Sequence, residues 1–178
     1  MIFSLFRKKN QNQTIVDRQY AALTSSARVP FFYSDMGVPD TVMGRFEMLS
    51  VVMILFFRRT GRSDGSSRGL AQEIIDAFFQ DIDHSIRELG IGDQGVPKRM
   101  KKLASMFYGR LEAYSASIDA GDADGLAEAL RRNIHPQKDS APDMLALAHW
   151  MLRAEQQLSS LPEDDIARGQ AFLPDPGQ

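Results

Sequence analysis

Apolar residues recur at helical spacing through the middle of the chain. They step by three or four residues in two successive segments, which places them on one face of a helix in each segment. The two sets are Leu70, Ile74, Phe78, Ile82, Ile86 and Leu89, and then Val96, Met100, Leu103, Phe107, Leu111, Tyr114 and Ile118. Gly90 suits the end of the first helix, and Pro97 suits the first turn of the second. The pattern predicts a long helical hairpin.

The same reasoning predicts two helices before the hairpin. The first is amphipathic and covers Gln13 to Ala27. The second runs from Thr41 to about Thr60, with Asp40 as its N-cap. Because this second segment is apolar on nearly every side, we expect it to be the central helix, wrapped by the others.

Two further helices and a final turn are predicted after the hairpin. Gly121 ends the hairpin, and either Asp122 or Asp124 caps a shorter helix that Pro136 terminates. Ser140 to Asp143 forms a capping-box pattern for a helix that reaches about Ser159. The stretch from Ser160 to Glu163 opens the final turn.

No segment alternates between apolar and polar residues as a half-buried strand would. The predicted class is therefore all-α, a single-domain helical bundle of about six helices with a central apolar helix and a long helical hairpin. A length of 178 residues suits one domain. We expect residues 1–12 to form a flexible apolar and basic tail, residues 13–167 the folded domain, and residues 168–178 a disordered tail.

Residues 90–95 read GIGDQG and match the GxGxxG pattern of dinucleotide-binding loops. That pattern indicates a nucleotide site only where it follows a buried strand and opens a helix. Here it joins two predicted helices. The match is interpreted as coincidental, with the glycines supplying turns in the hairpin.

Composition argues against several classes of site. The 21 basic and 23 acidic residues give a formal net charge of -2, so the whole domain has no cationic field for nucleic acid. There is no cysteine, and the three histidines never fall three or four residues apart. Asp81 and Asp83 stand two apart on a helix and point in different directions. We therefore expect no enzyme, no metal site and no cofactor.

The first nine residues, MIFSLFRKK, combine apolar and basic side chains. Phe3 and Phe6 with Arg7, Lys8 and Lys9 resemble a two-part anchor for a membrane surface, and a disordered tail is the alternative. In this segment the apolar residues precede the basic ones, which is the reverse of a secretory signal. The longest apolar run, residues 48–57, is about half as long as a membrane-spanning helix. A cytoplasmic protein is expected, with peripheral contact at the inner face of the cytoplasmic membrane as a further option.

A basic cluster opens the second hairpin helix, where each cation is disfavoured by the helix dipole by about 0.3 to 1 kcal/mol. The cluster is Lys98, Arg99, Lys101 and Lys102. It either pairs with hairpin carboxylates or forms a basic rim for ribosomal RNA, lipid headgroups or a partner. A hairpin polar network is also predicted, and its members are Asp81, Asp83, Arg87, Glu88 and Asp93.

The connection before the central helix has more aromatic bulk than a solvated loop needs. It either folds back over the bundle or forms the lip of a groove for an apolar segment. The residues predicted to bind such a segment are Phe31, Phe32, Tyr33, Met36 and Val38.

Two glycines inside predicted helices, Gly44 and Gly109, are interpreted as marks of close helix crossings. The arginines beside them, Arg45 and Arg110, would then anchor buried carboxylates such as Glu47 or Asp83.

Three blocks occur in a specific order: FFYSDMGVPDTVMGRFEML at 31–49, DAFFQDIDHSIRELGIGDQGVPKRMKKLASMFYGRLEAY at 76–114, and RRN at 131–133. With the Arg58-Arg59 pair, they resemble the ubiquinol-cytochrome c chaperone family. The resemblance implies an all-α chaperone fold of the bacterial type, no enzymatic activity and binding to newly made cytochrome b, near a ribosome exit and with a small partner protein.

The expected function is a non-enzymatic assembly chaperone that binds newly synthesised cytochrome b for assembly of the ubiquinol-cytochrome c oxidoreductase complex. The alternative is a ribosome- or RNA-associated adaptor that uses the basic hairpin and holds no hydrophobic client.

Overall fold

The computed structural model describes residues 2–63, 65, 67–88, 90, 92–136 and 140–177, with side chains from Asn12 onward. Within these residues it contains six long helices, two single-turn helices and no strand. The helices are α1 (Ile2–Ala27), α2 (Phe31–Ser34), α3 (Val42–Gly61), α4 (Ser67–Glu88), α5 (Val96–Ala120), α6 (Ala123–Ile134), α7 (Leu145–Ser160) and α8 (Glu163–Ala167). The all-α prediction is confirmed.

Helix α3 lies at the centre of the bundle. Its middle, residues 50–56, is buried at every position, and the helix contacts α1, α4, α5, α6 and α7. A segment without a polar face is most stable when other helices cover it on all sides, because burial of apolar surface is favourable. The predicted central helix is therefore confirmed.

Helices α4 and α5 form the predicted hairpin. Gly90 has a φ of 77° and so adopts the left-handed conformation that favours glycine. The Gly95 N–H donates to the Gly92 carbonyl at 2.8 Å, and Gly95 is the N-cap of α5. The GxGxxG segment thus connects two helices, and no strand precedes it in the described part of the chain.

The predicted cap of α6 is confirmed and that of α3 is wrong. Of the two caps proposed for α6, Asp122 is the one observed, and it accepts from the Gly125 N–H. Thr41, not Asp40, caps α3, and its hydroxyl accepts from the Gly44 N–H at 3.1 Å.

The predicted capping box before α7 is also wrong. Met144, with a φ of 58°, is the residue before the helix, and the Asp143 carboxylate accepts from the Leu145 N–H. A residue in the left-handed conformation thus stands where a capping box would place an extended cap.

Helix α1 begins at Ile2, earlier than the start predicted at Gln13, so residues 2–12 continue the same helix. The division of the chain into two tails and a folded domain stays a prediction. The side chains proposed to contact a membrane, Phe3, Phe6, Arg7, Lys8 and Lys9, lie outside the described side chains.

The C-terminal segment packs against the bundle. The buried Gln19 amide makes two hydrogen bonds to the Ala171 backbone, at 2.8 and 2.9 Å. The Trp150 indole N–H donates to the Pro174 carbonyl at 3.1 Å. Buried polar groups need partners, and this irregular segment supplies them with its backbone.

Neither Gly44 nor Gly109 marks a helix crossing. A Cβ on Gly44 would lie 1.9 Å from the Pro39 carbonyl oxygen, so Gly44 is needed by the tight turn that enters α3. A Cβ on Gly109 would meet no atom within 4 Å. The close approach at Gly44 is local in sequence, which helical periodicity does not reveal.

Candidate functional site

A groove of about 990 Å³ opens where four helices meet. Its walls are the last turn of α1, the first turns of α3, the last turns of α4 and the first turns of α5. The lining residues are Thr24, Ala27, Arg28, Val42, Met43, Arg45, Phe46, Leu49, Asp81, Ile82, Ser85, Ile86, Gly95, Lys98, Arg99, Lys102, Leu103 and Met106.

The inner surface of the groove is apolar and partly open to solvent. Phe46, Leu103 and Met106 are half-buried and face the recess. At the mouth, Val42 is 63% exposed and Met43 is 47% exposed. Accessible apolar side chains collected in a recess are typical of a binding site, because isolated surface hydrophobics seldom cluster in this way.

Three of the four residues of the predicted basic cluster line this groove. They are Lys98, Arg99 and Lys102, which we call the groove cations; Lys101 lies on the same helix and does not line the groove. Among the described residues, none of the four lies within 4.0 Å of a carboxylate oxygen. The geometry therefore contradicts pairing of this cluster with the hairpin carboxylates.

Those carboxylates have other partners. The Arg87 guanidinium pairs with Asp83, at 2.7 Å, and with Asp93. Asp81 accepts from the Tyr20 hydroxyl at 2.9 Å. Burial, with the nearby Asp81 charge, raises the pKa of Tyr20, so its hydroxyl remains protonated and can donate.

The predicted hairpin polar network is therefore only partly assembled. Arg87, Asp83 and Asp93 come together, whereas Asp81 bonds to α1 and Glu88 is exposed.

The segment predicted to bind a client folds back over the bundle. Phe32, Met36 and Val38 are buried in the core, and the Phe32 ring lies edge-on to Trp150 with ring centres 4.7 Å apart. The Tyr33 hydroxyl donates to the Ala27 carbonyl at 2.7 Å, and Phe31 is 36% exposed. None of these residues lines the groove. The bundle already covers Phe32, Met36 and Val38, which agrees with the alternative that the segment folds back. Binding of a client by this segment stays a prediction.

A buried ion pair lies next to the groove residues of α3 and α5. The Arg110 guanidinium holds the Glu47 carboxylate at two points, with Nε donating to Oε2 and Nη2 to Oε1. A third donor, Nη1, bonds to the Met106 carbonyl. Burial raises the pKa of Glu47, and the adjacent guanidinium opposes that rise.

This ion pair confirms the predicted anchor between Arg110 and Glu47 and ties α5 to α3 one turn from Met43 and Met106. Arg45 differs, because it pairs with the exposed Asp40 at 2.8 Å.

Sequence reasoning missed the apolar part of the site. Leu103 and Met106 occur on α5, where apolar residues predict packing against the bundle, and Met43 begins a segment assigned to the core. The signal that could have found the site was the coincidence of basic residues with the apolar stripe at the start of α5. That coincidence leaves one helix end both apolar and charged.

Within the described residues, no group of three or more histidine, aspartate and glutamate side chains could hold a metal ion. Over the same part of the chain, no helix combines the length and apolar character that crossing a membrane requires.

Comparisons with known proteins agree on one family. The family model described as ubiquinol-cytochrome C chaperone matches residues 34–173. The crystal structure of the Cbp3 homolog from Brucella abortus is 47% identical, with a TM-score of 0.91, and the match covers 100% of this chain and 99% of that chain. No curated protein matches. The matches confirm the resemblance seen in the sequence and the helical fold: the chain belongs to the ubiquinol-cytochrome C chaperone family.

Proposed function

We propose that this protein is a non-enzymatic assembly chaperone that binds newly synthesised cytochrome b and shelters one of its apolar segments in the groove. The family supports a chaperone role. The observation that carries the proposal is the groove itself, which collects accessible apolar side chains beside cations that have no ion pair among the described residues. Cytochrome b is the client that the sequence resemblance implies.

The proposed mechanism is capture of a helix in a groove. An apolar segment would cover Phe46, Leu103 and Met106 and displace water from them, which is favourable in proportion to the apolar area removed from solvent. No bond is made or broken, and release would follow when a membrane or subunit surface covers the same segment. Methionines at the site suit this task, because their flexible, polarisable side chains adapt to varied shapes.

The proposal places this capture at the cytoplasmic face of the membrane, near the ribosome that makes the client. A small partner protein belongs to the same proposal. The groove, rather than the Phe31 to Val38 segment, is now the surface proposed to contact the client.

Site-specific photocrosslinking in cells that make labelled cytochrome b tests the groove. A photoreactive residue at Met43 should crosslink to cytochrome b, and one at Tyr108 should not. The two positions form a matched pair, because they are 47% and 52% exposed and only Met43 lines the groove. Equal yields at both positions, or no cytochrome b at Met43, would contradict the proposal.

A second measurement uses the same pair as substitutions. Met43→Asp should lower cytochrome b capture about tenfold, since a charge would be buried against the client, while Tyr108→Asp should leave capture unchanged. Because both side chains are exposed, the free energy of unfolding of either variant should stay near that of the wild type.

The second candidate function is a ribosome- or RNA-associated adaptor. It is favoured by the exposure of Lys98, Arg99, Lys101 and Lys102 and by their lack of ion pairs among the described residues. Phosphate binding would depend on all four cations, including Lys101, and would weaken steeply with salt. Crosslinking of ribosomal RNA, without cytochrome b, would favour this function over the first.

A further inference from the structure

The charges lining the groove are strongly unequal. Five of the lining residues are cationic, Arg28, Arg45, Lys98, Arg99 and Lys102, whereas one, Asp81, is a carboxylate. Asp81 already accepts from Tyr20, and Arg45 already pairs with Asp40. Four cations without an ion pair in the described part of the chain therefore remain beside an apolar recess: Arg28 and the groove cations.

We propose that the groove selects its client by the charge next to the apolar segment, and that it binds an apolar helix whose end carries acidic residues. This inference rests on the proposed function. Acidic side chains at the end of the segment would form charge-assisted hydrogen bonds with the groove cations. A basic end would bring like charges together at the same place, which disfavours that partner.

The shape of the site favours a helical segment over a lipid surface. Lys98, Arg99 and Lys102 border a concave recess that also contains Phe46 and Leu103. A helix can bury its apolar face in such a recess while its end reaches the rim, whereas a membrane surface would meet the rim and leave the recess uncovered.

The inference has a directional consequence for a membrane client. Short cytoplasmic loops of membrane proteins carry an excess of lysine and arginine. A groove that rejects a basic end would therefore hold a segment by its other end and would bind it in one orientation.

Binding of two peptides to the purified full-length protein tests the inference. Both peptides share one apolar helical core and a fluorescent label; one ends in two glutamates and the other in two lysines. We expect the acidic peptide to bind about tenfold more tightly than the basic peptide at low salt. The acidic peptide gains one or two weak ion pairs with the groove cations, whereas the basic peptide brings like charges together. The difference should shrink as salt rises.

Adjacent lysines provide the matched variants. Lys102→Glu changes a groove cation, and Lys101→Glu makes the same change in net charge on the same helix outside the groove. Lys102→Glu should lower the preference for the acidic peptide at least about fivefold, since it replaces an attraction by a repulsion. Lys101→Glu should keep the preference within about twofold of the wild type.

Four outcomes would overturn the inference. Equal binding of the two peptides, with Met43→Asp weakening both, would leave the proposed chaperone function standing and remove charge selection. If Lys101→Glu and Lys102→Glu lowered the preference for the acidic peptide equally, that preference would depend on the net charge of the protein and not on the groove. Lys102→Glu could instead abolish binding to mixed phosphatidylglycerol and phosphatidylcholine vesicles while the protein prefers neither peptide. That result would assign the groove cations to binding of lipid headgroups. Failure of both peptides to bind would contradict the proposed function as well.

Discussion

At the scale of single residues, the Glu47–Arg110 pair shows how the bundle supports the groove. Both side chains are almost completely removed from solvent, and the fork of the guanidinium meets both carboxylate oxygens. Burying two charges costs free energy that their mutual attraction only partly offsets. The pair is therefore better understood as fixing where α5 lies against α3 than as a large net source of stability.

This interpretation predicts different results for single and double substitutions. Arg110→Ala leaves the Glu47 carboxylate buried without its partner and should lower the free energy of unfolding by about 3 to 5 kcal/mol. The double variant Glu47→Leu with Arg110→Met removes both charges and should recover most of that loss. Chemical denaturation of the three proteins measures both effects. A double variant as unstable as Arg110→Ala would show that the pair itself provides the stability.

At the scale of elements, Gly44 and Gly109 distinguish a helix that needs glycine from one that tolerates it. Gly44 lies in the first turn of α3, against the Pro39 carbonyl, and its N–H donates to the hydroxyl of Thr41, the N-cap. Gly109 faces open space on the exposed side of α5. The same residue type therefore has opposite consequences in the two helices.

Alanine substitutions at these positions should change stability in opposite directions. Gly44→Ala forces a Cβ into the Pro39 oxygen and should destabilise the protein by about 1 to 3 kcal/mol. Gly109→Ala gains helix propensity without a clash and should stabilise it by about 0.5 to 1 kcal/mol. Urea unfolding of both variants provides the comparison, and destabilisation by Gly109→Ala would mean that this side of α5 is more crowded than the structure shows.

At the scale of the whole molecule, Glu163 joins the start of α8 to the connection between α3 and α4. Its carboxylate accepts from the hydroxyls of Ser63 and Ser67 and pairs with Arg59 at 3.4 Å. These interactions, chiefly the two serine hydrogen bonds, lower the pKa of Glu163 below its usual value. A lowered pKa in the folded state means that the ionised form stabilises the fold.

The stabilisation by Glu163 should therefore disappear in acid. It is complete above about pH 4.3, the ordinary pKa of glutamate, and is lost as the pH falls through the lower pKa of the folded state. Glu163→Gln keeps an oxygen acceptor and loses the charge. Its melting temperature should be below that of the wild type at pH 7, and the difference should shrink as the pH falls below about 4.3. A constant difference across this range would assign the effect to packing.

The sequence determined the helical class, the central position of α3 and the α4–α5 hairpin, because each depends on the spacing of apolar residues within one segment. It also identified the basic cluster, since cations in the first turns of a helix are a local anomaly. It suggested Arg110 as an anchor but left the partner open between Glu47 and Asp83, because contacts between helices are not local in the chain. The family resemblance was readable for the same reason: its blocks are continuous in the chain.

Only the tertiary structure decided which apolar residues are covered. Phe32 in α2 and Phe46 in α3 are both phenylalanines, but Phe32 packs on Trp150 and Phe46 faces the groove. Likewise, Lys101 and Lys102 are neighbours in sequence, and only Lys102 lines the recess. A periodic pattern says which face of a helix is apolar, but whether that face is buried or accessible depends on where other helices end. The groove exists because α1, α3, α4 and α5 leave such a space between them.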